Sequence, residues 1–428
     1  MSQAIRHAKY LILGAGVSGL TFAGRLDEGE YLILEKEAEA GGYCRTTRRG
    51  DYVWDQAGHF FHFSHPELRE AFRRVLAPEE TVERVKNTRI YYNGLLVDYP
   101  FQKNIHQLPK EELIDCLYGL AEKEEKETYS SFLDMLYGKF GEGITERFLR
   151  PYNEKLYACS LDQLDADAMG RFFPYAELRE IIRNMKVPED SSYNRSFLYP
   201  RQGAAVFIRE LLKNVGESAV RYGETVVGVD TAGKTVTTDK GVYSFEYLVS
   251  SIPLDRFVEM SDVGEGVDRT VFSSNQVLVL NLGFDRPAKD RSIHWLYVPG
   301  REFGFYRAGF YSNILGTDKL SMYIEIGYPS GRTISREEID AQLAKTLEGL
   351  RRMGVLDGHR LADWQAVVMD PAYVHISEKS REAVNALKKA LAEKGVYLVG
   401  RYGAWKYCSI EDCMIDALDT ARAVGARR

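Results

Sequence analysis

YLILGAGVSGLTFAGRL (residues 10–26), followed by YLILE (residues 31–35), decides the fold. Tyr10 to Leu13 is a short apolar run of strand length, and GAGVSG follows it directly. Leu20, Phe22, Ala23 and Leu26 continue as a helix, and Tyr31 to Leu34 reads as a second strand that ends in Glu35. Gly14, Gly16 and Gly19 thus stand in a GxGxxG turn between strand and helix. In such a turn the first glycine permits the tight bend. The second lets a pyrophosphate approach the backbone, and the third lets helix and strand pack closely. The helix N-terminus offers free N–H groups and a partial positive charge to the phosphate. An acid at Glu35 accepts hydrogen bonds from ribose hydroxyls and repels a 2′-phosphate. A lone GxGxxG is weak, but strand, turn, helix, strand and acid in this order predict a dinucleotide site.

The acid opens EKEAEAGGYCRT (residues 35–46). Gly41, Gly42 and Arg45 extend the phosphate environment beyond one turn. NAD dehydrogenases do not usually need this second element, whereas large FAD proteins of the glutathione-reductase type do, so FAD is favoured over NAD.

The rest of the chain bounds the answer. Its 428 residues correspond to about three structural units. Apolar residues at 45% and charged residues at 28% are ordinary for a globular enzyme and exclude a disordered tail or fibrous repeat. A net charge of −6 argues against a general nucleic-acid binder. No apolar run approaches a membrane span, and MSQAIRHAKY lacks the apolar core of a signal peptide, so a cytoplasmic location is expected. Five scattered cysteines (Cys44, Cys116, Cys159, Cys408, Cys413) without a CxxC fit a reducing compartment and give no disulfide frame or zinc site. Cys408 and Cys413 read as buried small residues rather than a redox pair. No metal site is expected, and homo-oligomerisation stays open.

Residues from Pro109 to about Tyr157 have a helical pattern, with Leu113, Leu117 and Leu120 on one face and Phe132, Leu136 and Phe140 on another. The run EKEEKE (residues 122–127) reads as a solvated helix face or a helix junction. Val206 to Leu212 predicts a helix. Short strands are predicted at Ala219 to Tyr222, Thr225 to Val229, Thr235 to Thr238 and Tyr247 to Ser250, and clearer ones at VLVLNLGF (277–284) and SMYIEIGY (321–328). Helices at Arg336 to Arg352 and Arg381 to Lys394, a buried strand at Tyr397 to Gly400 and a final helix from about Ile410 to Val424 complete the pattern. The alternation reads as an α/β fold: a Rossmann-type FAD-binding domain, a helical insertion and an antiparallel β-sheet substrate domain. The nucleotide domain is expected to be discontinuous, over residues 1–98, 200–255 and 385–428. The helical domain is expected over 103–185, and the substrate domain over 186–199 and 256–384.

Several further segments carry a family resemblance. DQAGHFFHF (55–63), YNGLLVDYPFQKNI (92–105), YNEKLYACSLDQLDADAMGRFFP (152–174), YNRSFLYP (193–200), HWLYVPGREFGFYRAGFYSN (294–313) and VGRYGAWKYCSIED (399–412) occur in one order along the chain. With the dinucleotide segment, they resemble the flavin proteins that include amine oxidases, protoporphyrinogen oxidase and UDP-galactopyranose mutase. The mutases are the more similar. The resemblance implies that Gly58 and His59 pass beside the flavin, with His62 approximating a second histidine. It adds Val226, Gly400, Arg401 and Ile410 to the cofactor site. Tyr99, Phe101 and Gln102 would lie around the nucleotide base. Asn153, Tyr157 and Asn194 would line the uridine and sugar side, Tyr157 standing where the mutases usually have Trp. Tyr297 and Tyr407 would bind the diphosphate, and Arg171 and Arg307 would clamp it. The structural alternative for each aromatic is a core ring, and for each arginine a surface charge.

On this resemblance the expected substrate is a nucleotide sugar of the UDP-sugar class, and reduced FAD is the active form, its N5 acting as nucleophile at the anomeric carbon. The alternatives are an FAD-dependent oxidase or desaturase with a more apolar cavity, and a flavin-bearing binding protein. RQGAAV (201–206), PAYVH (371–375) and SIE (409–411) depart from the mutase pattern and leave the role of Tyr373 open.

Overall fold

A computed structural model describes residues 5–75, 80–186 and 195–426. Two seven-stranded sheets organise them. In the first, strand Arg6–Leu13 pairs in parallel with Tyr31–Leu34 on one side and with Val242–Ser250 on the other. Val220–Arg221 and Val396–Leu398 extend the parallel layer at either side. A hairpin, Val226–Asp230 with Thr235–Thr238, joins the near half of Val242–Ser250 in antiparallel fashion. These strands are contributed from distant parts of the chain. Leu11, Ile12 and Leu13 are fully buried because helices cover both faces of the layer.

The second sheet runs Leu361–Met369, Asn275–Phe284, Ser321–Pro329, Arg307–Phe310, Trp295–Tyr297, Thr88–Tyr92 and Leu95–Asp98. Every residue of Asn275–Phe284 is buried. One face of the sheet packs with helix Arg336–Arg352, and the other lies on Tyr52, Trp54 and Tyr199. This two-sided cover explains why VLVLNLGF is almost continuously apolar rather than alternating.

The hairpin at residues 88–98 corrects the expected boundary at residue 98. It closes on Asn93 and Gly94, both with positive φ (49° and 85°), the geometry that favours an Asn-Gly hairpin turn. Ile90 and Val97 are fully buried, and Thr88–Tyr92 pairs with Trp295–Tyr297. The hairpin therefore belongs to the second sheet, where it covers an edge that would otherwise expose unpaired backbone groups.

Helices Lys110–Glu122, Phe132–Ile144 and Arg150–Tyr157 form the insertion. Phe132, Leu136 and Phe140 are fully buried. Residues 123–127 of EKEEKE link the first two helices, so the run is a junction.

Asp55 ties together three segments around residues 46, 199 and 204. It is buried and accepts hydrogen bonds from Thr46 Oγ1 (2.6 Å), Tyr199 OH (2.8 Å) and the Ala204 N–H (3.0 Å). Burial pushes its carboxyl up to about 6, against those three donors. The folded protein thus holds a proton on Asp55 that the unfolded chain releases near 3.8. This contribution to stability is present at low pH and is lost as pH rises from about 4 to 6, with a size of about 3 kcal/mol. Asp55→Asn should remove that part of the pH slope. Between pH 4 and 7 the denaturant midpoint of the parent should fall relative to that of the variant, Asn standing in for the protonated acid; an offset that does not change with pH would contradict the assignment.

Candidate functional site

The glycine turn divides its three tasks sharply. Gly14 has φ 95°, and a Cβ there would lie 2.6 Å from Ser251 Oγ. A Cβ at Gly19 would lie 2.0 Å from the Gly14 carbonyl oxygen, so strand and helix meet at backbone contact. A Cβ at Gly16 would meet nothing within 4 Å. Gly16 therefore faces open space at the start of helix Val17–Ala23, which no side chain caps. Glu35 is buried and accepts the Ala15 N–H (2.7 Å) and the Glu37 N–H (2.9 Å), fixing the acid against this turn.

The second glycine pair closes on the first. The Gly41 N–H donates to the Ala15 carbonyl (2.9 Å), and Gly42 approaches the Gly16 backbone. Arg45 donates to the Gly42 carbonyl (2.9 Å) and to Glu37 (3.1 Å). The last segment reaches the same helix, since a Cβ on Gly400 would lie 2.2 Å from Ser18 Oγ. Ile410 opens the terminal helix Ile410–Ala423, and Val226 packs in the cluster that holds Leu34.

A second group of residues is set by sheet register. Tyr297 stands opposite Arg307, and Arg307 opposite Glu325, so the three share one face. Glu325 is buried, and one of its oxygens accepts Arg307 Nε (2.9 Å), Arg307 Nη2 (2.5 Å) and Tyr306 OH (2.6 Å). Arg307 Nη2 also donates to Tyr373 OH (3.1 Å). Two residues along, Tyr323 crosses Gly309 to reach Trp295 Nε1 (2.7 Å), and a Cβ on Gly58 would lie 2.0 Å from the Tyr323 hydroxyl. Gly58 thus lays the loop bearing His59 directly on this face.

His59 Nδ1 bonds the Ala57 carbonyl (2.9 Å). Burial lowers its pKa to about 4, and the nearby Arg401 and Arg307 charges push the same way. Arg401 lies over the rings of Tyr373 (5.1 Å) and Tyr407 (4.8 Å), which stack on each other at 6.0 Å. Phe172 meets Tyr407 edge-on at 5.4 Å, and neighbouring Arg171 pairs with Asp412 at the start of the terminal helix (2.5 Å). Arg171 and Arg307 therefore lie toward opposite ends of one Tyr407–Tyr373 row, with Arg401 and His59 beside it. Arg401 donates to the Cys408 carbonyl (3.2 Å) and has no carboxylate partner among the described residues; its Nε is buried without an acceptor.

The base-side residues divide. Tyr99 meets Tyr297 edge-on (5.2 Å), which stacks on Tyr152 (5.0 Å), and Tyr157 meets Tyr373 edge-on (6.0 Å). Gln102 is buried; its nitrogen bonds the Pro174 carbonyl and its oxygen has no partner among the described residues. Phe101 is a core ring stacked on Phe148 (5.1 Å), because the short helical turn at Phe101–Lys103 points it into the helical insertion. The Asn153 nitrogen is tied to the Leu149 carbonyl, just before its own helix (2.6 Å). His62 bonds the Ser196 carbonyl and lines a separate cavity of about 180 Å³ with Arg69 and Glu83. Asn194 lies outside the described residues.

Residues 17–425 match the family described as flavin containing amine oxidoreductase. The chain belongs to this family. FAD is accordingly its cofactor, and the open cradle at Gly16, the unaccepted Arg401 Nε and the two glycine turns fit it. Among solved structures, a reduced UDP-galactopyranose mutase has a TM-score of 0.90 at 22% identity, over 97% of this chain and 95% of that one. A putative protoporphyrinogen oxidase from Exiguobacterium sp. 255-15 has a TM-score of 0.75 at 16% identity, over 99% of each chain. A Baeyer-Villiger monooxygenase from Pseudomonas aeruginosa is 42% identical over 77 residues, which span 17% of this chain and 15% of that protein. Among the described residues, no helix is long and apolar enough to cross a membrane, and no cluster of His, Cys, Asp and Glu could hold a metal ion.

Sequence reading missed Glu325 and Asp412, the partners of the two arginines. Glu325 carried a usable signal, being the one charged residue in SMYIEIGY, a strand buried on both faces.

The glycine geometry gives a paired prediction. Gly16→Ala should leave the melting temperature of the FAD-free protein within a few degrees of the parent, yet abolish retention of FAD on gel filtration. Gly19→Ala should lower the melting temperature with or without FAD. Equal effects of the two on cofactor-free stability would contradict the division of tasks.

Proposed function

We propose that this flavoprotein interconverts the pyranose and furanose forms of a nucleotide sugar, UDP-galactose or a close relative, with reduced FAD. The observation that carries the reading is the gathering of Arg171, Arg307 and Arg401 along the Tyr407–Tyr373 row beside His59. Glu325 and Asp412 balance two of these cations, and Arg401 has no carboxylate partner among the described residues. A diphosphate is costly to take from water unless cations meet it, and the arginine fork bonds phosphate oxygens in pairs. An oxidase acting on an apolar substrate has no comparable use for these charges. The fold similarity to a reduced UDP-galactopyranose mutase supports the same reading.

Reduced FAD supplies a nucleophilic ring nitrogen for the anomeric carbon. The chain's own residues hold the departing nucleoside diphosphate so that it can return. Glu325 fixes the Arg307 fork before substrate arrives, so little reorganisation is needed as phosphate charge develops. Burial raises the Tyr297 phenol and takes that of Tyr407 to about 12, so both remain hydrogen-bond donors near neutrality. His59 is neutral at pH 7 and adds no charge to the cleft. The unpartnered oxygen of Gln102 can accept an N–H from a pyrimidine edge. Arg171 would exchange Asp412 for the diphosphate. These roles use orientation and electrostatics, and no protein nucleophile.

The test is turnover of UDP-galactofuranose by FAD-loaded protein with and without dithionite, followed by chromatography of the UDP-sugars. Conversion to the pyranose form is expected only after reduction. Failure to convert any UDP-hexose or UDP-pentose in the reduced state, with dioxygen consumption on an amine or porphyrinogen, would favour the oxidoreductase reading instead.

A further inference from the structure

We infer that Cys408 and Cys413 form a dithiol that closes to a disulfide under peroxide and locks the first turn of the terminal helix. Their sulfurs lie 3.6 Å apart. The contact follows from how this helix begins. Ser409 is its N-cap: its hydroxyl accepts the Asp412 N–H (3.2 Å), and Asp412 accepts the Ser409 N–H in return (2.8 Å). Cys408 and Cys413 flank that reciprocal cap, one just before it and one a turn inside. In many helices, two apolar side chains pack against each other at these positions. Here the pair is made of thiols, so the packing contact is also a redox contact.

The two sulfurs differ in their surroundings. Cys408 is buried, while Cys413 is partly accessible. The hydrogen bond from Cys408 holds the Cys413 thiol below its ordinary range, against the effect of burial, and the Arg401 guanidinium adds to it. Cys413 also lies at the positive end of the helix, where a thiolate is favoured. By contrast, burial raises the thiols of Cys44, Cys116 and Cys159. A disulfide needs the sulfurs at about 2.05 Å, which requires roughly 1.5 Å of approach by side-chain rotation.

The oxidant is a peroxide. The Cys413 thiolate attacks one peroxide oxygen, the O–O bond breaks, and the departing oxygen leaves as water, giving a sulfenic acid. The Cys408 sulfur then attacks Cys413, the S–O bond breaks and a second water leaves. Two thiols lose two electrons and two protons, and one peroxide becomes two waters. The closed ring brackets Asp412, the partner of Arg171, and includes the Cys408 carbonyl, which accepts from Arg401. Oxidation would therefore fix the anchors of both arginines, whatever substrate they serve.

FAD-loaded protein is treated with hydrogen peroxide, alkylated with iodoacetamide in denaturant and digested with trypsin without reductant. Both cysteines fall in one peptide, Tyr407–Arg422. The expected product is that peptide free of alkyl groups and two hydrogens lighter, becoming doubly alkylated when dithiothreitol is added before the alkylation. Cys408→Ser should abolish the two-hydrogen loss while retaining the flavin absorbance of the folded protein. A doubly alkylated peptide from peroxide-treated parent, or separately over-oxidised cysteines, would overturn the inference.

Discussion

Glu325 and Arg307 meet on a sheet face that is covered from both sides, and the cleft is organised around this pair. A carboxylate in that position is tolerated because Arg307 and Tyr306 donate to it. The same contact sets the direction of the guanidinium, whose Nη2 reaches Tyr373. Removing one member of such a buried pair typically costs 3–5 kcal/mol, since the other is left charged and unmatched. The pair thus links stability to site geometry: the sheet registers that align Tyr297, Arg307 and Glu325 also place the cation beside the Tyr407–Tyr373 row.

Two kinds of close approach bring the nucleotide unit to this cleft. Gly19 brings helix and strand together at the dinucleotide turn, and Gly58 lets the His59 loop lie on Tyr323. In both places a Cβ would be driven into a neighbour's oxygen. The terminal helix completes the arrangement from the opposite end of the chain, since its capped first turn carries Asp412 and adjoins Arg401. The glycine turns and the arginine–tyrosine row therefore share parts, and neither is an independent module.

The sequence was most legible where local pattern and local geometry coincide. GAGVSG between two short apolar runs could be read because strand, turn and helix all lie within 26 residues. Arg336–Arg352 could be read because its periodicity and its cap at Ser335 are both local. Sheet membership was harder. The hairpin at 88–98 has a clear Asn-Gly turn, but its place beside Trp295–Tyr297 depends on a strand some two hundred residues away. Side-chain partnership was hardest. Glu325 meets Arg307 only through antiparallel register, and Asp412 meets Arg171 only through tertiary packing. Phe101 carried the pattern of a base-side ring, yet its local turn points it into a core. Cys408 and Cys413 read as buried small residues because, although a helix start near Ile410 was legible, the cap geometry that brings their sulfurs together was not.

The central claim is that positive charge in the cleft serves a diphosphate. It is tested most directly by the ratio of UDP to uridine affinity, measured by calorimetric titration of FAD-loaded parent and Arg307→Ala. The parent should prefer UDP strongly. The variant should lose at least tenfold of that preference, about 1.4 kcal/mol, with uridine affinity nearly unchanged. An unchanged ratio, or an equal loss for both ligands, would contradict the account.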